Sequence, residues 1–241
     1  SLVVNGQTFN IDAKGVVTKA HTPGFYTTGD NNWFYADSHG RNVTGAQIIN
    51  GQHLYFDANG RQVKGGFVMN TDGSRSFYHW NTGDKLVSTF FTTGHDRWYY
   101  ADDKGNVVTG AQVINGQKLF FATDGKQVKG DFATNANGSR SYYHGATGNK
   151  LVSTFFTTGD NNWYYADAKG ELVVGEQTIN GQNLYFDHTG KQVKGATAAN
   201  PDGSISYYDV HTGEKAINRW VKIPSGQWVY FNAQGKGYVS N

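Results

Sequence analysis

Cysteine is absent from this 241-residue chain, proline occurs three times, methionine once and leucine only seven times. Without cysteine there is no disulfide framework of the kind that staples small eukaryotic secreted modules, which leaves a cytosolic protein or a bacterial secreted one. The shortage of leucine speaks against a helical protein, because leucine, alanine, glutamate and lysine lose least rotamer freedom in a helix. No apolar run is long enough for a membrane-spanning helix, and no signal peptide is visible at Ser1. An excess of charge is missing too. Twenty-one basic and 19 acidic residues leave a formal net charge of +2 without blocks of one sign, which gives no footprint for nucleic acid or an anionic membrane.

What the chain does hold is aromatic residues, at 15%, and 32 glycines, interleaved with valine, threonine, asparagine and aspartate. Rings and β-branched side chains fit a pleated surface, and Asn, Asp and Gly mark tight turns, so the fold class is all-β. Trp33, Trp98, Trp163 and Trp228 stand 65 residues apart each time. The same offset links DNNWFYADSHG, HDRWYYADDKG and DNNWYYADAKG. It also links AQIINGQHLYFDANGRQVKG, AQVINGQKLFFATDGKQVKG and EQTINGQNLYFDHTGKQVKG. Three long copies, at about 25–89, 90–154 and 155–219, follow a partial copy at 1–24 and precede another at 220–241. The chain begins inside a repeat and reads as a piece of a longer protein.

Each copy divides into three smaller units of 20–23 residues, punctuated by turn glycines such as Gly40, Gly60 and Gly83. Five residues before each glycine stands an aromatic, as in Tyr35, Tyr55 and Tyr78, and three residues after nearly all of them an aliphatic, as in Val43, Val63 and Leu86. An aromatic, an Asp-x-x-Gly turn and an aliphatic describe a β-hairpin whose two strands share a buried face. A hairpin of that length is marginal alone, whereas stacked identical hairpins bury one another. The expectation is one β-solenoid over 1–241 with about ten or eleven hairpin units. The position six before each glycine is also apolar, so some rings are expected to be exposed.

The strings TTGDNNWYYADAKG, INGQNLYFD and GKQVKG resemble the glucan-binding repeats of glucansucrases from lactic acid bacteria and oral streptococci, within the wider class of cell-wall-binding and choline-binding repeats. The resemblance covers nearly the whole chain. It implies a β-solenoid, a secreted or cell-surface setting in a Gram-positive bacterium, and binding of a dextran-like, α-1,6-rich glucan or its isomaltooligosaccharides. It also implies a parent enzyme whose catalytic domain, which makes glucan from sucrose, lies elsewhere. The Gly-Trp pair that usually opens choline-binding hairpins is missing. Choline or cell-wall anchoring, and toxin-type repeats binding another glycan, are the alternative readings.

Sugar recognition needs a ring to cover the C–H face of a pyranose and fixed donors and acceptors for its hydroxyls. One hairpin in three carries Gly-x-Gln-Val-Lys-Gly, giving the pairs Gln62/Lys64, Gln127/Lys129 and Gln192/Lys194. Residues two apart on a strand share a face, so with Val63, Val128 and Val193 in the core the amide and ammonium point outward together. Three equivalent pockets are expected, each roofed by rings from the same or the next hairpin: Tyr55 and Tyr78, Phe120 and Tyr143, Tyr185 and Tyr208. The same pairs also read as a solvated strand face whose lysines guard an edge. Trp33, Trp98 and Trp163 read as core.

Other chemistries fit poorly. Asp37, Asp102 and Asp167 sit three before a glycine and read as turn formers. The eight histidines occupy unequal repeat positions and form no metal-ligand spacing. Phosphate loops, a nucleophile elbow and a catalytic cysteine are missing. No cofactor, no metal, no catalytic residue and no nucleic-acid or membrane-inserting role is expected, and the chain is expected to be a monomer.

Overall fold

The computed structural model describes residues 1–159 and 162–239; Asp160 and Asn161, which fall in the third tryptophan-bearing string, lie outside the described residues. All described secondary structure is strand, turn and loop, with no helix. Antiparallel two-stranded hairpins follow one another along the chain, preceded by a three-stranded sheet formed by Leu2–Val4, Gln7–Ile11 and Val17–Lys19. The chain divides into two compact units, residues 1–110 with 121–127, and residues 111–120 with 128–241.

The hairpins close upstream of the turns on which the sequence pattern centres. In the first copy Gly45–Ile49 pairs with Gln52–Phe56 across Asn50-Gly51. Both turn residues have positive φ, 51° and 79°. That is the type I′ geometry whose twist matches the strands, and Asn-Gly is the dipeptide that adopts it most readily. The other two hairpins of the copy, Gly24–Thr27 with Trp33–Ala36 and Gly66–Met69 with Arg75–Tyr78, use longer loops. The Asp-x-x-Gly turn then folds the chain back for a single bridge, Phe56 to Gln62 in the second hairpin. This corrects the expectation of full strand pairing across that turn. Its aspartates are turn formers as expected: the Asp37 carboxylate accepts from the backbone N–H groups of His39 and Arg41 at 2.8 and 2.9 Å.

Neighbouring hairpins are joined by one recurring backbone bond. The residue two past the turn glycine donates its N–H to the first or second residue of the second strand in the preceding hairpin. In the first unit Gln62 bonds Trp33, Lys85 bonds His53 and Val107 bonds Arg75, at 2.7 to 2.9 Å. In the second, Lys150 bonds Lys118, Leu172 bonds Arg140, Gln192 bonds Trp163 and Lys215 bonds Asn183, at 2.7 to 2.8 Å. The core is correspondingly a series of small clusters, such as Ile49, Leu54 and Phe56 in the first unit and Ile179, Leu184 and Phe186 in the second. Burial of one such Leu or Phe contributes about 1.5–3 kcal/mol.

The buried face differs from the one expected. Leu54 and Phe56 are buried while Tyr55 between them is half-buried, so in this hairpin type the core is carried by the positions six and four before the glycine. In the third hairpin of each copy Tyr78, Tyr143 and Tyr208, five before the glycine, are buried at 3%, 1% and 1% exposure. The cause is a turn one residue longer. Gly60 donates to Asp57, three back, whereas Gly83 donates to His79, four back. Tyr78 therefore occupies the structural place of Phe56, as the bridges Phe56 to Gln62 and Tyr78 to Lys85 show. A one-residue slip reverses inside and outside on a strand.

Candidate functional site

In the first copy the Trp33 carbonyl accepts the Gln62 N–H at 2.7 Å, which fixes Gln62, Val63 and Lys64 beside the tryptophan. Trp33 is half-buried, and the Lys64 ammonium lies 5.1 Å from its ring centroid. Gln62 is buried, its Nε2 donating to the Thr82 carbonyl of the next turn at 3.1 Å. The room for that amide exists because residue 83 is glycine: a Cβ there would stand 2.3 Å from Gln62 Nε2. A cleft of about 420 Å³ opens over Asn32, Arg61, Gln62, Lys64 and Trp80. Trp80 is 45% exposed. Desolvation holds the Lys64 ammonium below the usual lysine range.

The third copy repeats this arrangement inside the second unit. Gln192 bonds the Trp163 carbonyl at 2.7 Å, and the Lys194 ammonium stands 5.3 Å from the indole centroid. Gln192 is buried against Thr212 and Gly213. Phe155, Trp163, Gln182, Gln192 and Lys194 line a cleft of about 240 Å³. Trp163 is 37% exposed. In the second copy Gln127 is likewise buried and bonds the Trp98 carbonyl at 2.7 Å within the first unit, whereas Phe120, Lys129 and Tyr143 belong to the second.

Three expectations change. Gln62, Gln127 and Gln192 are more buried than the valines beside them, which are half-buried, so the pair does not stand out into water as a unit. Tyr78, Tyr143 and Tyr208 are core rings. Tyr55 and Tyr78, 5.9 Å apart, line a separate cleft of about 520 Å³ with Gln47, His53 and Lys85, and Tyr208 lines one of about 460 Å³ with Glu176 and Lys215. Tyr185 lies half-buried, 5.5 Å from Tyr208. The rings over which Lys64 and Lys194 lie are those of Trp33 and Trp163, which read as core. Their signal was available in the spacing: Gln62, Gln127 and Gln192 each follow a tryptophan by 29 residues.

Among the described residues no group of His, Cys, Asp or Glu is arranged to hold a metal ion. The site thus offers aromatic faces, amides and ammonium donors. These can cover a ring's C–H face and bond hydroxyls.

A family model described as a choline-binding repeat matches residues 43–90, 108–155 and 173–220. Glucosyltransferase-S of Streptococcus mutans serotype c is 39% identical over 206 residues, 86% of this chain and 14% of that protein. Glucosyltransferase-I of Streptococcus downei is 35% identical over 265 residues, covering 90% of this chain and 16% of its own. The chain thus spans about one seventh of the length of the curated relatives it matches. Among solved structures, choline binding protein F from Streptococcus pneumoniae shares the fold, with a TM-score of 0.66 at 17% identity, covering 98% of this chain and 91% of that one. The choline-binding domain of CbpL from the same organism gives a TM-score of 0.59 at 20% identity, over 83% and 99% of the two chains. With three matched segments, one per copy, over more than half its length, the chain belongs to the choline-binding repeat family.

Proposed function

We propose that this chain is a non-catalytic carbohydrate-binding module that holds a dextran-like α-glucan at several equivalent places, as part of a secreted sucrose-dependent glucosyltransferase. The observation that carries the reading is the recurring trio of tryptophan, lysine and buried glutamine. Trp33, Lys64 and Gln62 in one unit have their counterparts in Trp163, Lys194 and Gln192 in the other. The indole supplies an apolar face, the ammonium donates, and the glutamine, fixed by its own bond to the next turn, offers an acceptor that needs no reorganisation. The likeness to streptococcal glucosyltransferases supports a glucan as the polymer and an extracellular setting.

The same trio argues against choline as the ligand. A quaternary ammonium binds over aromatic faces, and here Lys64 and Lys194 already place a cation 5.1 and 5.3 Å from those ring centroids. Affinity electrophoresis in gels containing dextran, beside gels bearing immobilised choline, tests the reading. Retardation by dextran alone is expected; retardation by choline and passage through dextran would overturn it.

A further inference from the structure

The clefts lined by the tyrosines differ from the tryptophan sites and hold an internal occupant in only one of the two described. In the third copy, Glu176 Oε1 accepts from Tyr208 Oη at 2.9 Å and from Lys215 Nζ at 2.6 Å. Tyr208 is 1% exposed and the Lys215 side chain 12% exposed, while Glu176 itself lies at the rim. One carboxylate oxygen thus accepts from both a buried phenol and the lysine ammonium. The electrostatics follow: the lysine bond holds the Glu176 carboxyl below its ordinary range, and burial together with the glutamate pushes the Tyr208 phenol far up.

The first copy has the same two donors on the same backbone. Tyr78 bridges Lys85 as Tyr208 bridges Lys215, and Lys85 bonds the His53 carbonyl as Lys215 bonds that of Asn183. Tyr78 is 3% exposed. The stem of Lys85 is pinned over the next turn, its Cε 2.4 Å from where a Cβ on Gly105 would be, as Lys215 Cε is 2.7 Å from that of Gly235. The position of Glu176 is taken by Ala46, which stands opposite Tyr55 as Glu176 stands opposite Tyr185. Neither Tyr78 Oη nor Lys85 Nζ has a carboxylate partner among the described residues; Asp72 feels the charge of Lys85 without pairing with it.

The second copy repeats the pattern within its unit. Tyr143, 1% exposed, bridges Lys150, Lys150 bonds the Lys118 carbonyl, and residue 111 is alanine. Desolvation lowers the Lys150 pKa, with Lys118 acting in the same direction and Glu171 and Asp167 against it.

We propose that the cleft at Tyr78/Lys85, and the equivalent place at Tyr143/Lys150 in the second copy, bind a carboxylate-bearing saccharide, a hexuronate, whose carboxylate takes the place that Glu176 fills in the third copy. In the third copy the buried phenol and the ammonium converge on one carboxylate oxygen, a charge-assisted acceptor site, and the first two copies place the same two residue types on the same bridge. In the first cleft Leu54, Tyr55 and Met69 give the apolar wall, and Gln47, His53 and Asn70 the polar rim that a sugar ring with hydroxyls requires. The third copy is closed to such a ligand by its own glutamate.

The test is calorimetric titration of the full chain with D-glucuronate and with D-glucose. Two glucuronate sites of millimolar affinity are expected, with glucose at least ten-fold weaker at them. Because Ala46 and Ala111 are exposed, the double variant Ala46→Glu/Ala111→Glu keeps the fold and loses glucuronate binding at least ten-fold. Glu176→Ala opens a third site. Dextran retardation stays as in the parent in all of these, which separates this proposal from the tryptophan sites. Equal binding of glucose and glucuronate, or parental glucuronate binding by the double glutamate variant, would overturn it.

Discussion

Within the tryptophan site, glutamine and lysine are not interchangeable partners. Lys64 and Lys194 lie over indole faces and are only partly buried, so their loss removes a cation–π contact worth about 0.5–1 kcal/mol and a hydroxyl donor. Gln192 is buried, and its removal leaves a gap against Gly213 and an unmet Thr212 carbonyl. That costs about 1–2 kcal/mol in folding. Lys64→Ala with Lys194→Ala is therefore expected to lower dextran affinity about ten-fold while the melting temperature falls by only a few degrees. Gln62→Ala with Gln192→Ala is expected to lower both. Calorimetry and thermal unfolding of the two double variants check this; a lysine variant that binds like the parent would remove the ammonium from the site.

A hairpin is the scale at which the sequence was most and least legible. The 65-residue period, the three-hairpin subdivision and the all-β class follow from tryptophan and glycine spacing, because a turn that needs positive φ leaves a glycine behind whatever else varies. Inside and outside were not legible from glycine spacing, because the turn ending at Gly83 is one residue longer than that ending at Gly60. Aligned on glycine, Tyr55 and Tyr78 look equivalent; aligned on the bridges, Tyr78 matches Phe56 and is core. For the same reason the pairing of Tyr78 with Lys85, and the carboxylate that Glu176 supplies in its own copy, had no sequence signal beyond one residue differing between repeats.

The turn also couples neighbouring hairpins. Gly83 has φ +71° and a Cβ there would meet the Gln62 amide at 2.3 Å, whereas Gly73 has φ +84° with nothing within 4 Å. Both Gly→Ala substitutions carry a left-handed backbone penalty of about 1–2 kcal/mol, and only Gly83→Ala adds the clash. It is expected to be the more destabilising by about 1–3 kcal/mol and to weaken sugar binding in the first copy, since Gln62 must move. Gly73→Ala is expected to leave sugar affinity alone. Equal effects of the two on binding would show that the glutamine is not held by the turn.

On the scale of the whole chain, what matters is that one tryptophan site lies wholly in each compact unit. An open cleft gripping one or two sugar units has a dissociation constant on the order of 1 mM, near −4 kcal/mol. A long polymer that engages a second site while held at the first meets it at high effective concentration, and its apparent affinity rises by roughly 10²-fold. Isomaltotriose cannot do so. Calorimetry is therefore expected to give millimolar binding of isomaltotriose and at least 10²-fold tighter binding of high-molecular-weight dextran, expressed per chain of polymer. Ionic strength separates the two kinds of cleft in the same experiment. Dextran is uncharged, so its binding releases no counterions and is expected to change less than two-fold between roughly 50 and 500 mM salt, across which the Debye length shortens severalfold. Glucuronate, held between a phenol and an ammonium, is expected to weaken measurably over the same range. Isomaltotriose and dextran of equal affinity would leave the sites acting singly, and a dextran affinity that collapses with salt would mean that the ligand's grip is ionic and the tryptophan faces are not its platform.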